Sequence, residues 1–450
     1  MRSLFLLAVF GQQLAAQAVP SAAKPIEDLP GAGRPVALEA HRMRRAALLE
    51  RVPSGVVVIP AAARGGSDDM VLQDNDFRQN DYFFYLTGVE TPDAWLLLTK
   101  SVEGPQSILY LPVADPAREQ WTGRMLGPGE RAAELTGIAD VRPLDTTDLE
   151  SSIEKAILEN PGPVHTVLLR GRSNNALVQQ WVASGRELRN IQPVLDSMRV
   201  VKDEAELKAL RRAIAITVEA QRAAMRAAHP GLYEYQLEAT IEFTFRSHGA
   251  DRVGFPSIVG SGPNSTILHY DVNRREMRDG DLVVVDIGAE YGQYTGDVTR
   301  TFPVNGRFTA RQKAIYDLVL AANQAAIDAV RPGITIRELG SLAREYMQAN
   351  GGTLCGEGGC ARYFIHGLSH WLGMRVHDVG DNAMPLEPGM VLTIEPGIYI
   401  SEEELGVRIE DDVLVTTDGC EVLSVGAPKS ADEIERLMRQ GAGSGGARRN

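Results

Sequence analysis

The sequence is short of three features that point to particular classes of protein. Lys and Arg number 46 against 59 Asp and Glu, and the net charge of −13 argues against nucleic acid or an anionic membrane as partner, because both need a basic face. Cysteine occurs only three times, which is compatible with export but does not require it. Beyond the N-terminus, no apolar run approaches the roughly 18 residues that would span a bilayer.

The remaining composition is ordinary, but the chain is too long for one core. Hydrophobic residues make up 44% and charged residues 23% of the sequence, values that argue against a fibrous or largely disordered protein. A single hydrophobic core stops growing well below 450 residues, so we expect two folded domains.

The N-terminus has the layout of a secretory signal. Arg2 precedes the apolar run Leu4–Phe10, and a polar stretch then ends in Ala16-Gln17-Ala18. We therefore predict a signal peptide over residues 1–18, a linker over residues 19–37, and an exported protein, periplasmic or secreted. A disordered tail is the alternative. No cysteine follows the small residues, so a lipoprotein anchor is not indicated.

Two of the cysteines are close enough in sequence to pair. Cys355 and Cys360 flank a glycine-rich loop, and a disulfide between them would contribute about 2 kcal/mol in the chain-entropy model. Free, buried thiols are the alternative, and Cys420 is left over in either case.

The first folded segment, residues 38–196, alternates helical and strand patterns and is predicted to be an α/β domain. It contains no cluster of histidine and acidic residues, so its expected role is structural or substrate-gating. Helices are predicted at His41–Arg51, Ser151–Glu159 and Asn174–Ser184, and strands at Gly55–Pro60, Ala94–Thr99, Ser107–Pro112 and Thr166–Leu169.

The second folded segment, residues 197–438, begins with the helical stretch Asp203–Ala228 and contains an internal repeat. The matching parts are His229-Pro230-Gly231 with Arg331-Pro332-Gly333, and Gly280–Gly288 with Gly389–Gly397. Each copy ends a buried strand on an acid, Asp286 or Glu395, and two facing halves would bring these acids together across a pseudo-twofold axis. The remaining tail, residues 439–450, is predicted to be disordered.

Two acids are predicted to face each other across a hairpin. Strands Leu282–Ile287 and Thr295–Thr301 flank Tyr291-Gly292, a plausible turn that would place Asp286 directly opposite Asp297. Cross-strand partners have Cβ atoms about 5 Å apart. Two buried like charges at that separation are unfavourable unless a cation lies between them.

Further acids and an imidazole complete an oxygen-rich set. Glu395 ends an apolar strand, and period-2 alternation along Gly406–Thr416 puts Arg408, Glu410 and Asp412 on one face. Four carboxylates with one histidine suit two Mn²⁺ or similar hard ions better than a thiolate zinc site.

Four of the eight histidines lie in the second segment close to these acids in sequence: His269, His366, His370 and His377. His366 and His370 have the spacing of a helical metal-binding pair, but the glycines around them favour strand and loop. One such histidine is more often a hydrogen-bonded core residue. Four of them beside four strand-end acids favour a functional site.

Short blocks of sequence carry a family resemblance: His269-Tyr270, Asp286, Asp297–Phe302, His366–Gly373, Val376–Asp378, Thr393–Gly397 and Arg408–Asp412, with Arg78–Asp81 and Tyr85–Gly88 in the first segment. Over residues 38–438 the chain resembles aminopeptidase P, the Xaa-Pro aminopeptidase branch of the pita-bread metallopeptidases. The resemblance implies an α/β (α+β) fold, with an N-terminal α/β domain and a C-terminal pita-bread domain that has a pseudo-twofold repeat.

The resemblance also implies a dinuclear metal site with Asp286, Asp297, His370, Glu395 and Glu410 as ligands. Asp297 and Glu410 would bridge both ions, Asp286 would complete one, and His370 and Glu395 the other. The ions would be Mn²⁺, with Co²⁺ or Zn²⁺ as alternatives, and would activate a hydroxide. Glu395 would accept and return its proton.

Other roles follow from the same resemblance. His269 and His377 would contact substrate and shuttle protons, His366 would act at the proline side, and Arg408 would orient Glu410 and its surroundings. The implied partners are peptides with proline at the second position, and the protein would form a dimer or tetramer. Phe84 stands about where an aromatic residue of a neighbouring subunit lines the pocket in this family.

The implied function is removal of the N-terminal residue from Xaa-Pro peptides. Prolidase shares the metal set but cleaves only Xaa-Pro dipeptides, and it remains the alternative. A pita-bread binding protein without catalysis is disfavoured because every ligand type is present, and methionine aminopeptidase because its usual form lacks this N-terminal domain. The segments before His366 and between Glu395 and Glu410 are shorter than expected for a bacterial aminopeptidase P. Because the resemblance places both beside the substrate cleft, the preferred peptide length stays open.

Overall fold

The structure is a computed structural model that describes residues 38–63, 77–101, 104–168 and 175–445. The signal peptide and linker predicted over residues 1–37 lie outside the described residues. The elements of the first domain are α1 (Leu38–Arg51), β1 (Val56–Pro60), α2 (Asp81–Thr87), β2 (Trp95–Ser101), β3 (Gly104–Leu111), α3 (Pro116–Thr122), α4 (Glu130–Thr136), β4 (Asp140–Pro143), α5 (Thr146–Glu159), β5 (Val164–Thr166), α6 (Ala176–Ala183), β6 (Leu188–Asn190) and α7 (Gln192–Val200).

One mixed sheet forms the centre of the first domain, with strand order β4-β3-β2-β1-β5-β6. The central strand β1 pairs antiparallel with β2 and parallel with β5. Its side chains alternate between two hydrophobic clusters, Val57 and Ile59 on one face and Val56 and Val58 on the other. Helices cover both faces, and β1 is therefore apolar throughout rather than alternating with polar residues. The α/β prediction is confirmed.

The second domain continues with α8 (Glu204–Ala227), α9 (Glu234–Ser247), β7 (Arg252–Val253), β8 (Ile258–Ser261), β9 (Leu282–Ile287), β10 (Ala289–Tyr291), β11 (Tyr294–Thr295), β12 (Val298–Pro303), α10 (Ala310–Ala329), α11 (Ile336–Asn350), β13 (Val391–Ile394), β14 (Gly397–Ile400), β15 (Leu405–Arg408), β16 (Asp411–Val415), β17 (Cys420–Val422) and α12 (Ala431–Gly445). None of the described helices combines the length and the hydrophobicity that a membrane span requires.

The second domain repeats a helix pair followed by a buried strand. Helix α8 packs on α9, and α10 packs on α11. Capping boxes at Asp203 and Thr309 begin the longer helix of each pair by satisfying its free backbone N–H groups. The first pair precedes β9, which lies between β8 and β12, and the second precedes β13, which pairs with β16. This is the pita-bread arrangement, and the predicted fold class is confirmed.

The hairpin that carries the first two acids has a different register from the predicted one. Its turn residues are Gly292 and Gln293, with φ of 59° and 63°, so both central residues are left-handed, as a type I′ turn requires. The predicted turn lies one residue too early, and Asp286 therefore pairs with Thr299, not Asp297. A shift of two residues keeps the same face of the strand, because side chains alternate with period two.

The C-terminal tail is more ordered than its composition indicates. Helix α12 continues to Gly445, so the prediction of disorder from residue 439 onwards is wrong for residues 439–445. Leu437 and Met438 are buried, and α12 packs on α8. Gly441 lies so close to the backbone of Arg226 that a Cβ would overlap with it. The glycine is therefore a packing residue of a helix contact and not part of a disordered tail.

A disulfide joins Cys355 and Cys360, so the first of the two alternatives for these cysteines holds. Both cysteines are buried, and Cys420 is free. The bridge closes the loop between α11 and the segment that leads to His366.

Candidate metal centre

Four carboxylates that are distant in sequence converge in one buried cluster. Asp286 lies in β9, Asp297 directly precedes β12, Glu395 directly follows β13, and Glu410 lies between β15 and β16. Asp286, Asp297 and Glu410 are only 8%, 3% and 1% exposed. They are buried because the strands that carry them form the core of the second domain.

The imidazole of His370 faces three of these acids. Its Nε2 lies 3.3 Å from Asp297 Oδ2, 3.4 Å from Glu395 Oε1 and 3.9 Å from Glu410 Oε1. The backbone N–H of His370 donates to Thr393 Oγ1 at 3.2 Å, which fixes the segment beside β13. His366 and His370 lie outside any helix, as predicted. One ligand atom each from Asp297, His370 and Glu410 lies within 4.8 Å of the others, a spacing that suits a shared metal ion.

The electrostatics of the cluster fit cations. Burial, reinforced by neighbouring carboxylates, raises the pKa of Asp297 and of Glu410 well above the usual range. Burial also raises the pKa of Glu395, to about 7. One carboxylate oxygen each of Asp286, Asp297 and Asp412 is buried without a hydrogen-bond partner among the described residues. Buried oxygens are normally paired, and hard divalent ions prefer carboxylate ligands, so this donor set fits such ions.

Arg408 orients two of the acids, as the resemblance implies. Its Nη2 donates to Asp286 Oδ2 at 2.6 Å, and its Nε donates to Thr299 Oγ1 at 3.2 Å. The Thr299 hydroxyl in turn donates to Glu410 Oε2 at 2.6 Å. Arg408 Nη1 also donates to the Tyr399 hydroxyl at 2.9 Å. Neither Thr299 nor Tyr399 was predicted as a site residue, because a threonine and a tyrosine inside strands carry no signal of their own.

A cavity of ≈ 500 Å³ opens onto the carboxylates and contains the other predicted histidines. The ring of His377 lies 4.4 Å from that of His370 and 6.5 Å from that of His269, between centroids. His366 Nε2 lies 2.8 Å from the Tyr399 hydroxyl. The apolar part of the wall consists of Phe255, Pro256, Ile258, Leu268 and Val376. The cleft therefore combines a charged floor with polar and apolar walls.

Two histidines of the cleft, His366 and His377, have pKa values below the usual range. Burial, with the nearby Arg408 charge, lowers the pKa of His366 to about 4. Burial and the neighbouring imidazoles lower the pKa of His377. A neutral imidazole presents one donor and one acceptor nitrogen, so His366 is able to do both at neutral pH.

Phe84 does not reach any cleft. It is 1% exposed and packs inside the first domain, because it lies on the buried face of α2. The prediction that Phe84 lines the pocket of a neighbouring subunit is therefore wrong. Among the described residues of the first domain, the aromatic side chain that projects furthest into solvent is Trp121, at 89% exposed.

Comparison with known proteins assigns both domains. The model of metallopeptidase family M24 matches residues 208–417, and the model of the aminopeptidase P N-terminal domain matches residues 41–164. The chain is 36% identical over 443 residues to a Xaa-Pro aminopeptidase of Escherichia coli, covering 90% of this chain and 98% of that protein.

Solved structures agree over the same range. Proline aminopeptidase P II from Yersinia pestis has a TM-score of 0.80 at 38% identity, covering 90% of this chain and 99% of that one. Aminopeptidase P from E. coli with the inhibitor Pro-Leu has a TM-score of 0.81 at 36% identity, with the same coverage.

Proposed function

The chain belongs to metallopeptidase family M24 and is a metal-dependent aminopeptidase, and from this premise we propose that it removes the N-terminal residue from peptides whose second residue is proline. The relatives named Xaa-Pro aminopeptidase and the neighbouring structure with bound Pro-Leu support the proline preference. The observation within the chain that supports this proposal most is the convergence of four acids, three of them buried, and an imidazole on one cleft.

We propose that the cluster holds two divalent cations. The residues that would hold the ions are Asp286, Asp297, His370, Glu395 and Glu410, and Asp297 and Glu410 would be shared between the two. The unpaired carboxylate oxygens and the short distances from His370 to the acids support it. Mn²⁺ is the proposed ion because the set is rich in carboxylates, with Co²⁺ or Zn²⁺ as alternatives.

The chain's own residues divide the remaining work. When bound, the cations lower the pKa of a water molecule and polarise the scissile carbonyl. Glu395 accepts the proton of the attacking water and returns it to the departing proline nitrogen. Its position supports this role, because its Oε1 faces His370 and its Oε2 lies 3.9 Å from Nδ1 of His366, the histidine assigned to the proline side. His269 and His377, on the wall of the cleft, stabilise the oxyanion that develops on the carbonyl.

Proline recognition is proposed to rest on shape. The bond before proline is a tertiary amide without an N–H, so a hydrogen-bond acceptor in the cleft gains nothing from it. The apolar wall around Phe255, Ile258 and Val376 offers a surface for the pyrrolidine ring. His366, which is paired with the Tyr399 hydroxyl, lies on the same cleft and is assigned to the proline side.

The test is hydrolysis of a graded peptide series by protein loaded with Mn²⁺, with metal content measured on the same samples. We expect release of the first residue from Xaa-Pro-Yaa and longer peptides, and no cleavage when alanine replaces the proline. Cleavage restricted to Xaa-Pro dipeptides would identify a prolidase instead. Protein that binds no divalent metal after loading would support a binding protein without catalysis.

Export and oligomerisation complete the proposal. Residues 1–18 are proposed as a cleaved signal, which N-terminal sequencing of the mature protein from the periplasm or medium tests directly. A dimer or tetramer is proposed, with the exposed Trp121 as the aromatic side chain that reaches a neighbouring subunit. Trp121→Ala is expected to weaken assembly or raise KM, and unchanged values of both would refute this role.

A further inference from the structure

The segment Gly373–Asp378 carries a cleft histidine without the support of a helix or strand. His377 opens onto the cleft, with its ring 4.4 Å from that of His370. Among the described residues, the backbone hydrogen bonds that tie this segment to the rest of the chain lie at its ends, where Thr295 N donates to Gly373 O at 3.0 Å and Asp378 N donates to Trp371 O at 2.9 Å. One further backbone bond, from Gly373 N to Arg375 O at 3.2 Å, lies within the segment. The position of His377 therefore depends on side chains that anchor the residues around it.

The first domain anchors the near side of the segment. Arg78 Nη2 donates to Met374 O at 2.6 Å, and Arg78 Nη1 binds Asp81 Oδ1 at 2.8 Å. The other oxygen of Asp81 accepts a hydrogen bond from Arg375 Nε. Asp81 is 2% exposed and opens α2, whose cap Asn80 fixes it in place. One buried carboxylate of the first domain thus binds the segment of the second domain three residues before Asp378.

Residues at the junction of the two domains, Arg199 in α7 and Lys202 just after it, anchor the far side of the segment, and the same network is continuous with Asp81. Asp378 Oδ1 lies 2.5 Å from Arg199 Nη2, and Asp378 Oδ2 lies 3.3 Å from Lys202 Nζ. Arg199 is 1% exposed, and its Nη2 also lies 3.7 Å from Asp81 Oδ2. A Cβ at Gly373 would overlap with the Asp378 carboxylate, so the backbone packs directly on this ion pair.

We propose that Asp81 is a positioning residue that holds His377 in the cleft from the other domain. The inference rests on the proposed function, because His377 matters only if the cleft is catalytic. The network contacts Met374, Arg375 and Asp378, which lie on both sides of His377 in the sequence. None of these described contacts involves His377 itself. Removing one partner of a buried ion pair leaves the others uncompensated, so loss of Asp81 frees the segment rather than merely weakening one contact.

The experiment compares Asp81→Asn with Arg44→Met in the full-length, metal-loaded protein. Arg44 is the matched control, because this buried arginine also joins the two domains through ion pairs, 2.7 Å from the half-buried Asp203 and 3.7 Å from the buried Glu206, but among the described contacts it bonds to no residue of the segment. Two readouts are taken: kcat and KM on an Xaa-Pro-Yaa peptide, and hydrogen exchange of the amides of residues 372–379. Arg78→Gln, which removes the bond to Met374 O, replaces Asp81→Asn if that variant does not fold.

We expect Asp81→Asn to lower kcat about tenfold with little change in KM, and to speed exchange at residues 372–379 about tenfold or more. Arg44→Met lowers the melting temperature but leaves both quantities within about twofold of wild type. An equal kinetic loss in the two variants means that Asp81 is merely structural, and unchanged exchange in Asp81→Asn also overturns the proposal. The exchange readout needs no catalysis, so an inactive wild type would refute the proposed function alone.

Discussion

Three consecutive acids, Glu410, Asp411 and Asp412, divide between two kinds of buried environment. Glu410 belongs to the carboxylate cluster, and Asp412 lies beside it and accepts a hydrogen bond from Asp297 N at 3.1 Å. Burial raises the pKa of each of these two acids well above its usual range. Asp411 is equally buried and would have its pKa raised by that burial, but the charges of Arg300 and Lys429 outweigh the effect and hold its pKa at about 2. The alternation of β16 separates the two environments.

The Asp411 side carries its own counter-charges. Arg300 Nη2 and Lys429 Nζ lie 2.7 Å and 2.9 Å from its two oxygens, and the Ser424 hydroxyl donates to Oδ1 at 2.7 Å. On the opposite side, Asp412 Oδ1 has no partner among the described residues. This chain therefore supplies counter-charges to one buried acid, whereas no Arg or Lys of the described residues forms an ion pair with Glu410 or Asp412. Burial alone does not distinguish these acids, because all three are almost fully buried.

The sharpest test removes a charge from the uncompensated side. Glu410→Gln keeps the shape of the side chain and its hydrogen bond with Thr299 but loses the charge, so we expect kcat/KM to fall by at least about 10⁴-fold, roughly 5 kcal/mol. Kinetics on an Xaa-Pro-Yaa peptide with parallel metal analysis measure it. The exposed Glu402→Gln is the control. Full activity in Glu410→Gln would show that the cluster does not carry the chemistry.

The second test removes a charge from the compensated side. Arg300→Met leaves Asp411 buried with Lys429 as its remaining counter-charge, and we expect the free energy of unfolding to fall by about 4 kcal/mol. Denaturant unfolding measures the loss. The double variant Arg300→Met/Asp411→Asn is expected to recover part of it, because the uncompensated charge is gone. A double variant less stable than the single one contradicts this electrostatic account.

The third test removes the cations. Chelation is expected to destabilise the protein, and Mn²⁺ added back at about 100 times its Kd should restore about 3 kcal/mol. Thermal unfolding with and without metal measures the shift. Arg300→Met should keep this metal-dependent shift and Glu410→Gln should lose it. The opposite pattern would mean that the ion binds on the Asp411 side.

The smallest expected effect concerns His41 in the first domain, where burial and a neighbouring charge again decide the pKa of a side chain. His41 is buried beside Arg44, so burial first and that charge second lower its pKa to about 4. Its pKa rises towards 6.5 on unfolding, so the unfolded state binds more protons below that pH and stability is lost as pH falls. We expect a loss of about 2 kcal/mol between pH 7 and pH 5 from this residue.

Denaturant unfolding of wild type and His41→Gln across pH 5 to 7 measures this contribution. The variant lacks a titrating ring, so its stability should depend less on pH over that range. Equal slopes for the two proteins would assign the acid sensitivity to other groups.

Much of the architecture was open to prediction because hydrophobic period and repeat are local properties of the sequence. The run that became β1 and the capped stretch that became α8 were both identified from the residues themselves. The register of the hairpin could not be predicted in this way, because the left-handed conformation of Gln293 depends on the fit of the turn to its sheet. The prediction that Phe84 lines a pocket was wrong for a related reason, because aromatic character does not reveal which face of α2 is buried.

The kind of chemistry can be read from the residues alone, because they indicate which acids end buried strands and that an imidazole accompanies them. The tertiary structure decided which of these acids meet, that Arg300 and Lys429 neutralise Asp411 while Glu410 and Asp412 stay uncompensated, and that Asp81 reaches across to the His377 segment. The difference arises from the distance along the chain over which each effect acts. Strand patterns and turn residues act over a few positions, whereas the balance of charge at a buried carboxylate depends on side chains from distant parts of the chain.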